Sequence, residues 1–156
     1  MALELDFAKL SGTDVLDMAI AIENEAEIYY EQLADWVSDG DPEVRKFFGR
    51  MAGLERRHHD QIVAERERLY GDAPKSNAEK VSWAVEMPDF DQVPNDATLL
   101  QAFEVAMESE TRAHDFYAGA LDYVTDEKIS ALFEDLMRAE AQHKKLLREE
   151  MNRHQL

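Results

Sequence analysis

Residues 19–30, AIAIENEAEIYY, and residues 106–117, AMESETRAHDFY, are two copies of one pattern set 87 positions apart. Each carries an Ala-led run, a Glu (Glu23, Glu110) and, seven residues later, a Tyr (Tyr30, Tyr117). A second pair, Glu55-Arg56-Arg57-His58 and Glu140-Ala141-Gln142-His143, repeats at 85 positions. Around Glu23 the apolar residues Val15, Ala19, Ile22, Ala26, Tyr29, Leu33 and Trp36 recur at steps of four and three. That is the stripe of an amphipathic helix packed in a bundle. Around Glu55 and His58 the stripe is Val44, Phe47, Met51 and Ile62, and around Glu110 it is Leu99, Phe103, Ala106, Ala113, Tyr117 and Val124. Around Glu140 and His143 it is Ile129, Leu132, Leu136 and Leu147. No strand-like alternation interrupts these runs.

The spacing predicts an all-α chain with helices over about 13–37, 42–69, 96–124 and 126–153. Asp41-Pro42 supplies an N-cap with proline at the first helical position, and Gly71 stops the second helix. Thr125-Asp126 opens the fourth. Each helix is about 40 Å long at 1.5 Å per residue. The first and third links are short, so each helix pair is an antiparallel hairpin. The segment 71–95 is too long for an ordinary loop in a compact domain. It reads as a crossover joining the hairpins along the length of a four-helix bundle, with Val81, Trp83 and Val85 packing on it. Residues 1–12 read as an N-terminal tail and 13–156 as one domain. Two like hairpins joined this way are related by an approximate twofold axis.

Composition narrows the function. Of 156 residues, 34 are Asp or Glu and 17 are Lys or Arg, for a formal charge of −17. A surface so acidic argues against nucleic acid and anionic membranes, which are held by Lys and Arg. It attracts metal cations or basic partners, although acidity for solvation alone gives the same counts. There is no cysteine, which excludes disulfides, thiolate metal sites and thiol nucleophiles. Residues Met1 to Leu10 include Glu4 and Asp6 and have no long apolar core, so they do not read as a signal peptide. No apolar run reaches the length of about eighteen residues needed to span a membrane. The expected location is cytoplasmic.

Six polar residues sit where the stripes put the core: Glu23, Glu55, His58, Glu110, Glu140 and His143. Each lies near the middle of its helix, so a packed bundle brings all six to one level. Buried carboxylates without partners are very unfavourable, and four together repel. Two divalent cations cancel four carboxylate charges, and neutral imidazoles add none. The Glu-x-x-His spacing suits this, because residues three apart share a helix face. Small Ala19, Ala26, Ala106 and Ala113 leave room for ions. Each element alone is weak. Their order, one per helix, on core faces and at near-equal offsets, carries the weight. The opposing reading is a metal-free bundle acting as an interaction module, in which Lys or Arg faces each acid. Glu27 and His114, paired by the repeat, read as solvent-facing, with support of the metal ligands as the alternative. His59, Arg56-Arg57 and Lys144-Lys145 read as surface.

Ala19-x-x-x-Glu23-x6-Tyr30, Ala106-x-x-x-Glu110-x6-Tyr117, Glu55-x-x-His58 and Glu140-x-x-His143 together resemble the ferritin-like di-iron proteins, and within them the rubrerythrins. The resemblance runs from about Thr13 to Arg153. It implies a ferritin-like fold holding two Fe ions, with Mn possible. Glu55 and Glu140 would bridge the ions, Glu23 and Glu110 would be terminal ligands, and His58 and His143 would bind one ion each. It also implies that Tyr30 and Tyr117 hydrogen-bond to ligand carboxylates and serve the catalysis. Expected activities are Fe2+ oxidation with consumption of O2 or H2O2, by a homo-oligomer (dimer or larger). A di-manganese catalase or a di-iron hydroxylase uses the same fold. Two departures stand out. The rubredoxin domain of typical rubrerythrins needs cysteine, so electrons must come from an external donor. Ala113 stands where many rubrerythrins carry an extra carboxylate.

Overall fold

The structure is a computed structural model, and it describes residues 5–37, 40–77 and 97–156. Four helices account for most of these: α1 (Gly12–Trp36), α2 (Pro42–Tyr70), α3 (Leu99–Leu121) and α4 (Glu127–Arg153). No strand occurs among the described residues. The main contacts run between α1 and α2 and between α3 and α4, and α2–α4 and α1–α3 contacts join the two hairpins. No helix among the described residues is long and apolar enough to cross a membrane.

Side-chain caps set the helix starts. Ser11 accepts from the Asp14 amide and Asp14 accepts from the Ser11 amide, so α1 begins at Gly12, one residue before the expected start. Asp41 caps α2 through the Glu43 amide, with Pro42 at the first position. Thr98 and Gln101 form a second reciprocal box that starts α3 at Leu99. The expected start near Asp96 lies outside the described residues. At its other end α3 stops at Leu121 rather than Val124, because the amides of Tyr123 and Val124 both turn back onto the Ala120 carbonyl. Gly71, at φ 53°, ends α2 in a conformation that L side chains rarely adopt. The expected packing of Val81, Trp83 and Val85 lies outside the described residues.

The segment before α1 is docked. Phe7–Lys9 form a short 3-10 turn, and the Phe7 ring lies 5.5 Å from Phe116 and 5.9 Å from Tyr123. Gly119 makes room for it, since a Cβ there would stand 2.7 Å from the Phe7 ring.

The core has two apolar levels. One includes Leu16, Ala19, Ile62, Tyr117, Phe133 and Leu136, and the other Leu33, Phe48, Met51, Phe103, Ala106 and Leu147. Every helix runs from one level to the other, and every helix carries its polar residues at the crossing. Glu23 lies between Ala19 and Tyr29, Glu55 and His58 between Met51 and Ile62, Glu110 between Ala106 and Ala113, and Glu140 and His143 between Leu136 and Leu147. On α1 the inward face is turned slightly from the expected stripe: Glu23, Glu27 and Tyr30 are buried while Ile22 and Ala26 are half-buried.

One ion pair ties the start of the crossover to the bundle. Arg66 on α2 reaches both carboxylate oxygens of Asp17 on α1 and also donates to the carbonyls of Ala73 (3.2 Å) and Pro74 (3.3 Å). The Ser76 amide donates to Asp17 at 2.8 Å. Burial pushes the Asp17 acid up, but the bonds from Arg66 and Ser76 outweigh it and hold the acid below its usual range. Asp17→Asn should cost about 2 kcal/mol of stability near neutral pH, the scale of hydrogen bonds to a buried charged group. Because the folded acid is depressed, this contribution is present above the unfolded pKa of about 3.9 and lost as pH falls through the lower folded value. Urea melts of both proteins should therefore show a gap at pH 7 that narrows below pH 4.

Candidate metal centre

The six residues singled out by the repeat converge. Glu23, Glu55 and Glu140 are each 1% exposed, Glu110 is 2%, His143 4% and His58 8%. His58 Nδ1 lies 3.6 Å from Glu23 Oε2 and 3.4 Å from both Glu55 Oε2 and Glu140 Oε1. His143 Nδ1 lies 3.1 Å from Glu55 Oε1, 3.3 Å from Glu110 Oε2 and 3.5 Å from Glu140 Oε2. The imidazole planes are 9° from parallel with centroids 5.3 Å apart. The side chains divide into two overlapping groups: Glu23, Glu55, His58 and Glu140, and Glu55, Glu110, Glu140 and His143. Within each, one donor atom per residue lies within 4.8 Å of the others. Glu55 and Glu140 belong to both groups, each facing one histidine with one oxygen and the other histidine with the second.

The tyrosines cross between hairpins. Tyr30 on α1 donates to Glu110 Oε1 on α3 at 2.6 Å, and Tyr117 on α3 donates to Glu23 Oε1 on α1 at 2.5 Å. Burial, and next the neighbouring carboxylate, push both hydroxyls well above the usual phenol range, so both stay protonated donors. Each therefore aims one oxygen of its glutamate partner and leaves the other oxygen facing a histidine.

The electrostatics are those of a site built around positive charge. Burial, then the charges of Glu110 and the other acids, push Glu55 and Glu140 well above the normal carboxylate range. Glu110 goes the other way: burial opposes its ionisation, but hydrogen bonds from Glu140, His143 and Tyr30 bring it to about 2. Burial acts to lower the histidines, yet contacts with three carboxylates each raise them, His58 to about 12 and His143 likewise far up. Among the described residues no Lys or Arg pairs with any of the four acids. That is the opposite of what a salt-bridged interaction module requires. Of the buried atoms without a hydrogen-bond partner, three belong to the cluster: Glu55 Oε2, His58 Nδ1 and Glu140 Oε1. All three belong to one group of four and face its centre. Orphaned buried polar atoms call for an ion or water. A carboxylate-rich set with one imidazole per group suits Mn, Fe or similar divalent metals. The residues fit a pair of such ions.

A four-helix bundle with a carboxylate–histidine cluster at mid-height defines the class of ferritin-like proteins with a metal-binding core. The chain belongs to the rubrerythrin family, whose model matches residues 14–151. Among solved structures it is similar to a hypothetical protein from Pyrococcus furiosus at 22% identity, with a TM-score of 0.76 over 96% of this chain and 95% of that one. It is also similar to an uncharacterized conserved protein from Magnetospirillum magnetotacticum, at 25% identity and a TM-score of 0.72 over 92% and 95% of the two chains. A third similarity is to Rhodobacter capsulatus bacterioferritin, described as having a metal-free dinuclear site and a heme iron. There the identity is 20%, with a TM-score of 0.69 over 98% of this chain and 89% of that one. No curated protein matches the chain.

Two other positions differ in outcome. Glu27, expected in solvent, is buried at 9% exposure and receives a bond from Arg56 at 3.3 Å. The signal available was its place four residues after Glu23, on the same face. His114 is half-buried against Asp115 and does not reach the cluster. Ala113 is buried, so no acid occupies the position of the extra carboxylate.

Because Glu55, Glu140, His58 and His143 all hold protons more tightly than usual, a divalent cation must displace them. Cation affinity should therefore fall as pH falls, and binding should release up to about four protons. Calorimetric titration of the metal-free protein with Co2+ in buffers of different ionisation enthalpy measures that number.

Proposed function

We propose that this chain is a di-iron carboxylate protein that oxidises Fe2+ and consumes O2 or H2O2. The observation that supports this best is the paired donor groups sharing Glu55 and Glu140. In this reading Glu55 and Glu140 would be shared by two metal ions, Glu23 and His58 would help to hold one, and Glu110 and His143 would help to hold the other. When bound, two irons supply two electrons to an O–O bond as each passes from Fe2+ to Fe3+.

The chain's own residues do the rest. Apolar levels on both sides exclude water, which strengthens the attraction between carboxylates and cations. Tyr30 and Tyr117 hold the terminal carboxylates in one orientation by donating to a single oxygen of each. Their protons stay on the phenol oxygens, so neither competes as an anion for the cations. The protons displaced from Glu55, Glu140, His58 and His143 would leave the core when cations arrive, and the same groups could return two protons per two electrons, giving water from H2O2 or H2O2 from O2. Without cysteine, electrons that return the site to its reduced form come from an external donor. A cytoplasmic location and a homo-oligomer belong to the same proposal. The donor set also accepts manganese, which keeps a di-manganese catalase as the second reading. The acidic surface, at a formal −17 overall, favours Fe2+ uptake. Ala113 in place of an acid weighs against the peroxide cycle of typical rubrerythrins.

Protein purified without chelator should contain about two irons per chain. Anaerobic Fe2+ followed by peroxide should raise a near-ultraviolet charge-transfer band. No band, or the same band in the Glu55→Ala, His143→Ala double variant, refutes the assignment. Tyr30→Phe and Tyr117→Phe should each lower Fe2+ affinity or oxidation rate by roughly 10- to 100-fold while the fold survives, the usual effect of removing a partner of a metal ligand. Stopped-flow absorbance and circular dichroism together check this.

A further inference from the structure

We infer that Glu27 is the intake ligand of the centre: it takes an incoming divalent cation and hands it to the Glu23–His58 half. The inference rests on the metal-site reading above and adds a residue and a direction to it.

Glu27 is a buried acid with only half of its bonding satisfied. Its Oε1 accepts from Arg56 at 3.3 Å, while its Oε2 is buried with no partner. A carboxylate oxygen kept from water without a donor is costly unless something positive visits it. Arg56 is a loose neighbour. Its side chain is 62% exposed and it also pairs with Asp60 at 3.3 Å, so it can swing away into solvent.

Position gives the acid its direction. Glu27 lies one turn from Glu23 on α1, a separation of about 5–6 Å between Cβ atoms. Both face α2, where Glu23 meets His58 and Glu27 meets Arg56. The Glu23–His58 half is also the half with the unpartnered donor atoms, and His58 is the more exposed of the two histidines, at 8% against 4%. The repeat makes the same point by contrast. The counterpart of Glu27 is His114, tied to Asp115, and the counterpart of Arg56 is Ala141. Among the described residues, the Glu23–His58 half has a buried acid one turn away with an exposed Arg on it, while the repeat places His114, tied to Asp115, at that point of the other half. An arriving divalent ion replaces the Arg56 contact at Glu27, moves one turn to Glu23 and His58, and Arg56 then returns.

The test mixes metal-free protein with Co2+ in a stopped-flow instrument and follows Co2+ visible absorption, with final stoichiometry by metal analysis. Wild type and Glu27→Gln should both end with two ions per chain and melt alike. Filling of Glu27→Gln should be at least about tenfold slower, the lower end of what local charge does to association. The slowing should persist in about 0.5 M NaCl, because the acid is buried and salt screens only exposed charges strongly. Arg56→Gln should fill at least as fast as wild type. Wild-type filling by Glu27→Gln, a deficit that salt removes, or a final count of one ion each overturn the inference. If Glu27→Gln does not fold, Glu27→Asp serves, with slowed filling expected and wild-type filling overturning it. A wild-type chain that takes up no Co2+ overturns the metal-site reading as well, so the two failures are told apart.

Discussion

Four carboxylates stand at the centre of an apolar bundle, and the rest of the fold is arranged around that constraint. In a low-dielectric interior such groups repel one another and resist ionisation. The chain tolerates them because each is held from a different helix, each meets an imidazole or a phenol, and long apolar levels close the site above and below. The same packing that makes the acids costly leaves Glu55 Oε2 and Glu140 Oε1 without a hydrogen-bond partner, which is what the proposed cation site uses. Stability and cation affinity are therefore two views of one set of contacts. A bound pair of cations at a hundred times its dissociation constant would add about 2.7 kcal/mol for each independent site.

The crossed tyrosines extend this arrangement. Tyr30 belongs to the first hairpin and serves Glu110 of the second, while Tyr117 does the reverse. The two hairpins are thus joined at the site by hydrogen bonds as well as by apolar contact. Their twofold relation is approximate, and its lapses are informative. The first hairpin carries Arg56 and Glu27 where the second has Ala141 and His114. A centre with identical donors in its two halves has different surroundings on its two sides, which is what an ordered filling of the two positions needs.

The acidity of the chain divides between these levels. Four of the 34 acids lie in the cluster, and the remaining 30 against 17 bases still leave −13. The excess lies outside the cluster, although Asp14, Glu27 and Glu150 among these acids are also buried. None of the 156 residues is a cysteine, so these residues cannot themselves build an iron–thiolate centre.

Much of this was legible in the linear chain. Periodicity identified four helices because an amphipathic face must repeat every three to four residues to be buried. The six clustered residues stood out because charged groups on such faces have no cheap explanation. The hairpins followed from link lengths. What periodicity could not reach was anything set by side chains from different helices. The reciprocal box at Thr98 decides where α3 begins, and the Ala120 carbonyl decides where it ends. The Asp17–Arg66 pair, with the start of the crossover folded over it, is set by side chains from different segments and leaves no mark on the periodicity. Glu27 reads as solvent-facing in the sequence, and only the packing of α2 against α1 buries it and places Arg56 on it. Sequence alone determined most of the residues that face inward, because that depends on local helix geometry, while Ile22, Ala26 and Glu27 were reset by how α1 turns in the bundle. Tertiary structure alone decided which of them meet, because distances between helices depend on how the whole bundle closes.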